Sequence, residues 1–199
     1  MKTDHNKMFN DIVSGLKIRP RLILHTCCAP CSSSVLEKLE KFFDISIYYF
    51  NPNIAPEEEY DRRLAELRFF LRSTGREKNI KLIEPEYNHL HFLTRVSGLE
   101  EEKEGGKRCY ECYKMRLEET MRHGIAAGFD YFTTALSVSP YKNAEWINHL
   151  GIELAKRGRA QYLPADFKKN NGYLRSLELS RQHGLYRQDY CGCEFSIRK

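Results

Sequence analysis

Arg21-Leu-Ile-Leu-His-Thr-Cys-Cys-Ala-Pro-Cys-Ser-Ser-Ser-Val-Leu36 is the stretch from which the fold is read. Its first six residues form a short apolar run that breaks at Cys27-Cys28-Ala29-Pro30-Cys31. Beyond it Val35, Leu36, Leu39 and Phe42 recur at helical spacing. The pattern predicts strand, loop, helix, with Ser32, Ser33 and Ser34 placed to cap the helix start. Working outward, Asp44–Phe50 is a second strand and ends at Asn51-Pro52-Asn53. Glu57–Leu71 is an amphipathic helix, and 80–83 a third strand. Residues 92–107 are expected to be irregular, 109–122 a helix stopped by Gly124, and 130–136 a fourth strand. A helix over 143–156, a short strand over 161–163 and further helix to about Gly184 complete the pattern, before a loop bearing Cys191-Gly192-Cys193. Strands alternating with helices imply an α/β fold, a mostly parallel sheet covered by helices on both faces. Ligands in such folds sit beyond the carboxyl ends of the strands. Cys27, Asn51 and Asp166 each follow a predicted strand directly and are expected on one rim.

A chain of 199 residues, 41% hydrophobic and 12% aromatic, suits one domain with a sizeable core. Residues 1–20 are read as an N-terminal extension and 21–199 as the single domain. No apolar run nears the roughly 18 residues of a membrane helix, and the polar start lacks the apolar centre of a secretory leader. A cytoplasmic, membrane-free protein is expected. Net charge is +5, and the second half from Lys107 carries +6 by itself. That asymmetry hints at a polyanionic partner.

The seven cysteines fall into three groups: Cys27, Cys28 and Cys31; Cys109 and Cys112; Cys191 and Cys193. An odd number argues against a fully paired disulfide framework, and so does a reducing compartment. Two C-x-x-C pairs are each suited to hold one metal centre. A structural zinc would take four thiolates. A dithiol at Cys28–Cys31 would draw on the lowered thiol pKa at a helix N-terminus. An iron–sulfur cluster would take four thiolates from distant segments and leave three for a second metal or a redox disulfide. All three readings stay open on spacing alone.

His25-Thr-Cys-Cys-Ala-Pro-Cys-Ser32, Tyr49-Phe-Asn-Pro-Asn-Ile54, Glu58-Glu59-Tyr60, Arg108-Cys-Tyr-Glu-Cys-Tyr-Lys-Met-Arg-Leu117, Phe132–Asn143, Asp166-Phe-Lys-Lys169 and Leu185–Cys193 together resemble the epoxyqueuosine reductases of the QueH type. The likeness runs from about Arg21 to Ser196. It implies a Rossmann-like fold related to the PP-loop (HUP) ATPases. The cysteine loop would stand where their phosphate loop does; lacking its glycines, it predicts no ATP use. The implied activity is the last step of queuosine synthesis, reduction of epoxyqueuosine in the tRNA anticodon to queuosine. A 4Fe–4S cluster with a second, mononuclear metal beside it, expected to be iron, is implied too. All seven cysteines are expected in one site. Cys28, Cys109, Cys112 and either Cys191 or Cys193 are assigned to the cluster, Cys27 and Cys31 to the second metal. Asp166, Cys27 and Cys31 are the expected catalytic residues, Asp166 as proton donor or metal ligand, with Tyr186 and Tyr190 as further donors. Lys107, Arg108, Lys142, Lys168, Lys169 and Arg187 are the leading candidates for tRNA phosphates, with Lys114, Arg116, Arg175 and Arg181 behind them. Tyr49, Tyr110 and Tyr141 are candidates to stack on the extruded base. No flavin or nicotinamide signature is present, so electrons are expected from a ferredoxin- or flavodoxin-like carrier. The competing readings are a zinc-stabilised nucleic-acid-binding module and a C-x-x-C thiol–disulfide oxidoreductase.

Overall fold

The computed structural model of the chain describes residues 3–197, and its centre is the strand opened by the quoted stretch. This strand, β1 (Arg21–His25), carries Leu22, Ile23 and Leu24, none of which reaches solvent. A strand buried on both faces reads as a continuous apolar run, as here. It pairs in parallel with β2 (Asp44–Tyr48) on one side and β4 (Tyr131–Thr134) on the other. Strand β3 (Lys81–Ile83) extends the β2 edge and β5 (Gln161–Tyr162) the β4 edge. All four pairings are parallel, in the order β3-β2-β1-β4-β5. The chain therefore winds outward from β1 to β3, then returns to start again beside β1. That reversal between β1 and β4 is where a doubly wound sheet leaves a crevice at its carboxyl edge.

Alternating side chains of the sheet sort the core into two layers, because successive strand residues face opposite ways. Leu22 and Leu24 pack with α2 (Ala29–Leu39) and α3 (Glu57–Ser73) through Leu36, Leu39, Leu67 and Phe70. Ile23 faces the other layer, with Met115 and Leu117 of α5 (Lys107–Ala126) and Ile147 and Leu150 of α6 (Ala144–Ala155). A last helix, α7 (Gly172–Gln182), packs on α2. No helix among the described residues is long and apolar enough to cross a membrane.

Several elements depart from the sequence reading, each for a local reason. Helix α2 begins at Ala29, because Pro30 suits a first turn. The serines therefore lie inside it and do not cap: Ser32 Oγ donates back to Cys28 O at 2.7 Å and Ser33 Oγ to Pro30 O at 2.9 Å, while Ser34 Oγ finds no partner among the described residues. Strand β4 ends at Thr134, whose hydroxyl accepts from Leu136 N–H and turns 135–138 into a 3₁₀ helix. Within the stretch expected to be irregular, Asn88 caps a short helix α4 (His89–Arg95) that buries Phe92. Helix α5 runs through Gly124, where a Cβ would come within 3.0 Å of Ile23 Cγ2; the glycine serves close packing and the stop falls at Gly128, φ +73°. After Asp166 the chain makes turns through Asn170 and Asn171, both in the left-handed region, before α7 starts. The turns bring the backbone at Gly172 so close that an added Cβ would lie 1.9 Å from Phe167 O, so only glycine fits there.

The residues before the resemblance form helix α1 (His5–Ser14), capped by Asp4 accepting from Asn6 and Lys7 N–H. Phe9 is buried between Phe42 and Phe167, and Asn6 Oδ1 accepts the Asp166 N–H at 3.0 Å. We expect Phe9→Ala to cost roughly 3 kcal/mol in a denaturant titration; a change under about 0.5 kcal/mol, typical of surface sites, would mean that α1 contributes nothing to the core.

Candidate metal centre

At the carboxyl end of β1 the chain turns through Thr26, whose N–H donates to Tyr48 O, and delivers Cys27, Cys28 and Cys31 to the start of α2. Cys28 is the N-cap, in extended backbone, and Cys31 sits in the first turn. The three sulfurs all lie within 4.8 Å of one another, Cys27 and Cys28 3.9 Å apart. Hydrogen bonds from Cys28 and Cys31 hold the Cys27 thiol well below its ordinary pKa, and the same bonds push Cys31 well above. Cys28, donating to Cys27, is pushed up to about 12. The triad thus favours a thiolate at Cys27, beside the positive end of α2. Soft sulfur donors so grouped fit zinc or iron rather than a hard cation, and the triad fits a metal cofactor.

Cys109 and Cys112 stand on one face of the first turns of α5. Gly105 N–H points at Cys109 Sγ at 3.2 Å. Burial pushes Cys112 up to about 11, against the pull of the Arg116 guanidinium. The third pair is held from outside. Arg63 of α3, 1% exposed, is paired with Glu59 and donates to Cys191 O at 3.1 Å and Tyr190 O at 3.4 Å. Ala55 N–H donates to Gly192 O. Gly192 has φ +101°, and a Cβ there would lie 2.9 Å from both Arg63 Nη1 and Ile54 Cγ1. Cys193 and then Lys142 hold the Cys191 thiol low, and Ser196 Oγ also donates to its sulfur at 3.4 Å. The third segment also reaches the first, since Gln188 Nε2 donates to Cys28 Sγ at 3.2 Å.

Among the described residues the one group of sulfurs that could share a metal, all within 4.8 Å of one another, is Cys27, Cys28 and Cys31; Cys109, Cys112, Cys191 and Cys193 share with them one large packed cluster on the Ile23 face of the sheet, and all seven are free thiols. Cys31 and Cys191 are half-buried; with Cys27 they line a solvent-open cavity at the β1/β4 crevice. Pro30, Glu104, Leu136, the segment from Val138 to Lys142, Tyr173, Ser176 and the segment from Arg187 to Tyr190 complete its wall. His25 ties the two strands together behind it. Phe50 O can only accept, so Nε2 carries the proton, and Nδ1 accepts from Thr134 Oγ1 at 2.9 Å. Burial, reinforced by Arg116, pushes its pKa down to about 3, so the ring is neutral at pH 7.

The structure disperses the other residues singled out from sequence. Asn51 joins the cysteine loop by donating to Thr26 O at 2.8 Å. Asp166 does not line the cavity: its carboxylate pairs with Lys168 Nζ at 2.9 Å. Lys142 and Arg187 do line it, Lys142 3.5 Å from Glu104. Lys107 and Lys169 are exposed elsewhere. Arg108 was expected at the surface and is buried, 1% exposed; it donates to the carbonyls of Leu99, Glu100, Glu102 and Phe195. Its place at the foot of α5 turns it inward to close the loop before the helix. Tyr141, 70% exposed, stands at the cavity mouth. Tyr49, expected to stack, is fully buried and donates to Tyr60 O, and Tyr110 packs edge-on against Trp146. Tyr186 donates to Glu59 and Tyr190 to Ala55 O. Arg63 and Gln188 had no role from sequence. The one available signal for Arg63 was its position four residues after Glu59 in a helix. We expect Gly192→Ala to leave the helix content intact but reduce metal bound per chain after anaerobic loading. Metal content equal to that of the unaltered chain would show that the Cys191–Cys193 loop need not fit against Arg63.

The family model for Epoxyqueuosine reductase QueH matches residues 22–199. A protein of that name from Streptococcus pyogenes serotype M1 is 44% identical over 185 residues, covering 91% of this chain and 72% of its own. One from Staphylococcus epidermidis is 42% identical over 205 residues, covering all of this chain and 86% of its own. One from Thermotoga maritima is 31% identical over 179 residues, covering 88% of this chain and 90% of its own. With an open-sided sulfur site at the crevice of a parallel sheet, and likeness running the length of the fold, the chain belongs to the epoxyqueuosine reductase QueH family.

Proposed function

We propose that this chain is the oxidoreductase that converts epoxyqueuosine in a tRNA anticodon to queuosine, as the names of its relatives indicate. The reading rests above all on the Cys27–Cys28–Cys31 triad at the carboxyl end of β1, two of whose members line an open cavity with Cys191. The overall change is balanced: two electrons and two protons enter, both C–O bonds of the oxirane break, an alkene forms and water leaves. The thiols exceed what one ion can use. We assign Cys28, Cys109, Cys112 and either Cys191 or Cys193 to a 4Fe–4S cluster, and Cys27 and Cys31 to a mononuclear iron. When bound, these would supply single low-potential electrons and a Lewis acid for the oxirane oxygen.

The chain's own groups do the rest. Gln188 and Gly105 donate to sulfur and steady the ligands. Tyr141 offers an exposed ring at the mouth on which an unpaired base can stack. Arg187, exposed beside it, meets phosphate. Burial works against the charge on Lys142, but Cys191, Tyr113 and Glu104 outweigh it and raise its pKa, so Nζ carries a proton inside the cavity. It is better placed than Asp166 to protonate the leaving oxygen. Electrons are assigned to a ferredoxin- or flavodoxin-like carrier.

Anaerobic loading with iron and sulfide, then assay on epoxyqueuosine-containing tRNA with a strong reductant, tests the reading. We expect a coloured protein that forms queuosine, and Cys109→Ser to lose both colour and turnover. A colourless protein with full activity would refute it and favour the dithiol reading; zinc with tRNA binding but no turnover would favour the zinc module. Binding of that tRNA should weaken with salt, and Arg187→Ala should reduce the slope of log K against log salt by about 1. An unchanged slope removes Arg187 from the phosphate path.

A further inference from the structure

Three arginines are buried among the described residues, and they are satisfied differently. Arg63 has the Glu59 carboxylate at 2.6 Å. Arg108 has a cage of backbone carbonyls. Arg116, 3% exposed, has neither: its one hydrogen bond among the described residues is from Nε to Cys112 O at 3.4 Å. No carboxylate forms an ion pair with it among the described residues, and the leading groups whose charge would favour its cation are Cys112, Cys27, Cys191 and Tyr113. Cysteines of all three segments are thus among the groups whose negative charge would act on the same guanidinium, which touches the Cys112 carbonyl directly.

This position follows from the helix. Arg116 lies four residues after Cys112 and seven after Cys109, so all three project from one face of α5. A buried cation without an anion is expensive, and an arginine cannot shed its proton to escape that cost. The anion must come from the site itself. A metal–thiolate centre supplies it, since four thiolates on a 4Fe–4S core leave net negative charge, and one electron taken from an external donor adds one more.

We propose that Arg116 is the fixed counter-charge of this centre, a positioning residue that acts through the sulfurs and not on the substrate. Its fixed positive charge lies on the Cys109–Cys112 face of α5, and it favours the reduced over the oxidised cluster. The inference rests on the metal reading above and adds to it the residue that sets the poise. The expected surface role of Arg116 at a tRNA phosphate is thereby replaced by a role in the interior.

The test is a redox titration, followed by visible absorbance and electron paramagnetic resonance, of the full chain loaded anaerobically with iron and sulfide. It compares the unaltered chain with Arg116→Gln and Arg116→Lys, with far-ultraviolet circular dichroism as the folding control. At the midpoint of the unaltered protein, folded Arg116→Gln should show a reduced-to-oxidised ratio about tenfold lower, about 59 mV for a one-electron couple. Arg116→Lys, which keeps the charge, should stay within about twofold. A folded Gln variant with an unshifted couple overturns the counter-charge. If the Gln variant does not fold, the Lys variant decides. Iron content and couple like those of the unaltered chain support the assignment, and a folded Lys variant shifted as far as tenfold overturns it. An unaltered chain that takes up no iron sinks the metal reading and the counter-charge together, whereas a coloured unaltered chain with an unshifted Gln variant sinks the counter-charge alone.

Discussion

The sulfurs of Cys27, Cys28 and Cys31 have to face one another at the end of the central strand, and the backbone that carries them has to find partners while out of water. The parallel sheet meets the first demand. Its winding reverses between β1 and β4, so the chain leaves a crevice at the carboxyl edge that the post-β1 loop and Cys191 line, with Cys109 and Cys112 of α5 in the same packed cluster. The second demand is met by side chains that bond to backbone: Asn51 to Thr26 O, Arg63 to the Cys191 and Tyr190 carbonyls, and Arg108 to the loop ahead of α5. A loop with unsatisfied buried carbonyls would be driven back toward solvent, and the sulfurs with it.

Charge is arranged as carefully as hydrogen bonding. His25, at the end of the central strand, stays neutral and serves as a strut between Thr134 and Phe50. Arg63 arrives already paired, so it can order a loop without adding net charge to the interior. Lys142 and Arg116 bring positive charge to the sulfurs from opposite settings, one at the cavity wall and one behind it. Hydrogen bonds within the triad separate three chemically identical thiols, lowering Cys27 and raising Cys28 and Cys31.

The site grades from dry to wet. Cys28, Cys109 and Cys112 are buried, Cys31 and Cys191 are half-buried, and Tyr141 and Arg187 stand in solvent at the mouth. That gradient suits a reaction in which electrons are handled among buried sulfurs and a bulky polyanion stays outside, presenting a single base. An anticodon loop makes such a presentation cheap because its bases are already unpaired.

The strand–loop–helix at Arg21–Leu36, the alternation that makes a parallel sheet, and the pairing of cysteines into three groups are all legible along the chain, because they depend on spacing and side-chain type over a few residues. Element ends were less legible: Thr134 breaks β4 and Pro30 brings α2 forward through single contacts that periodicity does not register. The tertiary structure alone separated the basic residues by role. Arg108, Arg116, Lys142 and Arg187 look alike in sequence, yet one cages a loop, one is buried against the Cys112 carbonyl, one lines the cavity and one faces water. It alone took Asp166 out of the cavity and brought in Arg63 and Gln188. The physical reason is that burial and partner choice come from contacts between residues far apart in the chain, which residue type and local spacing do not encode.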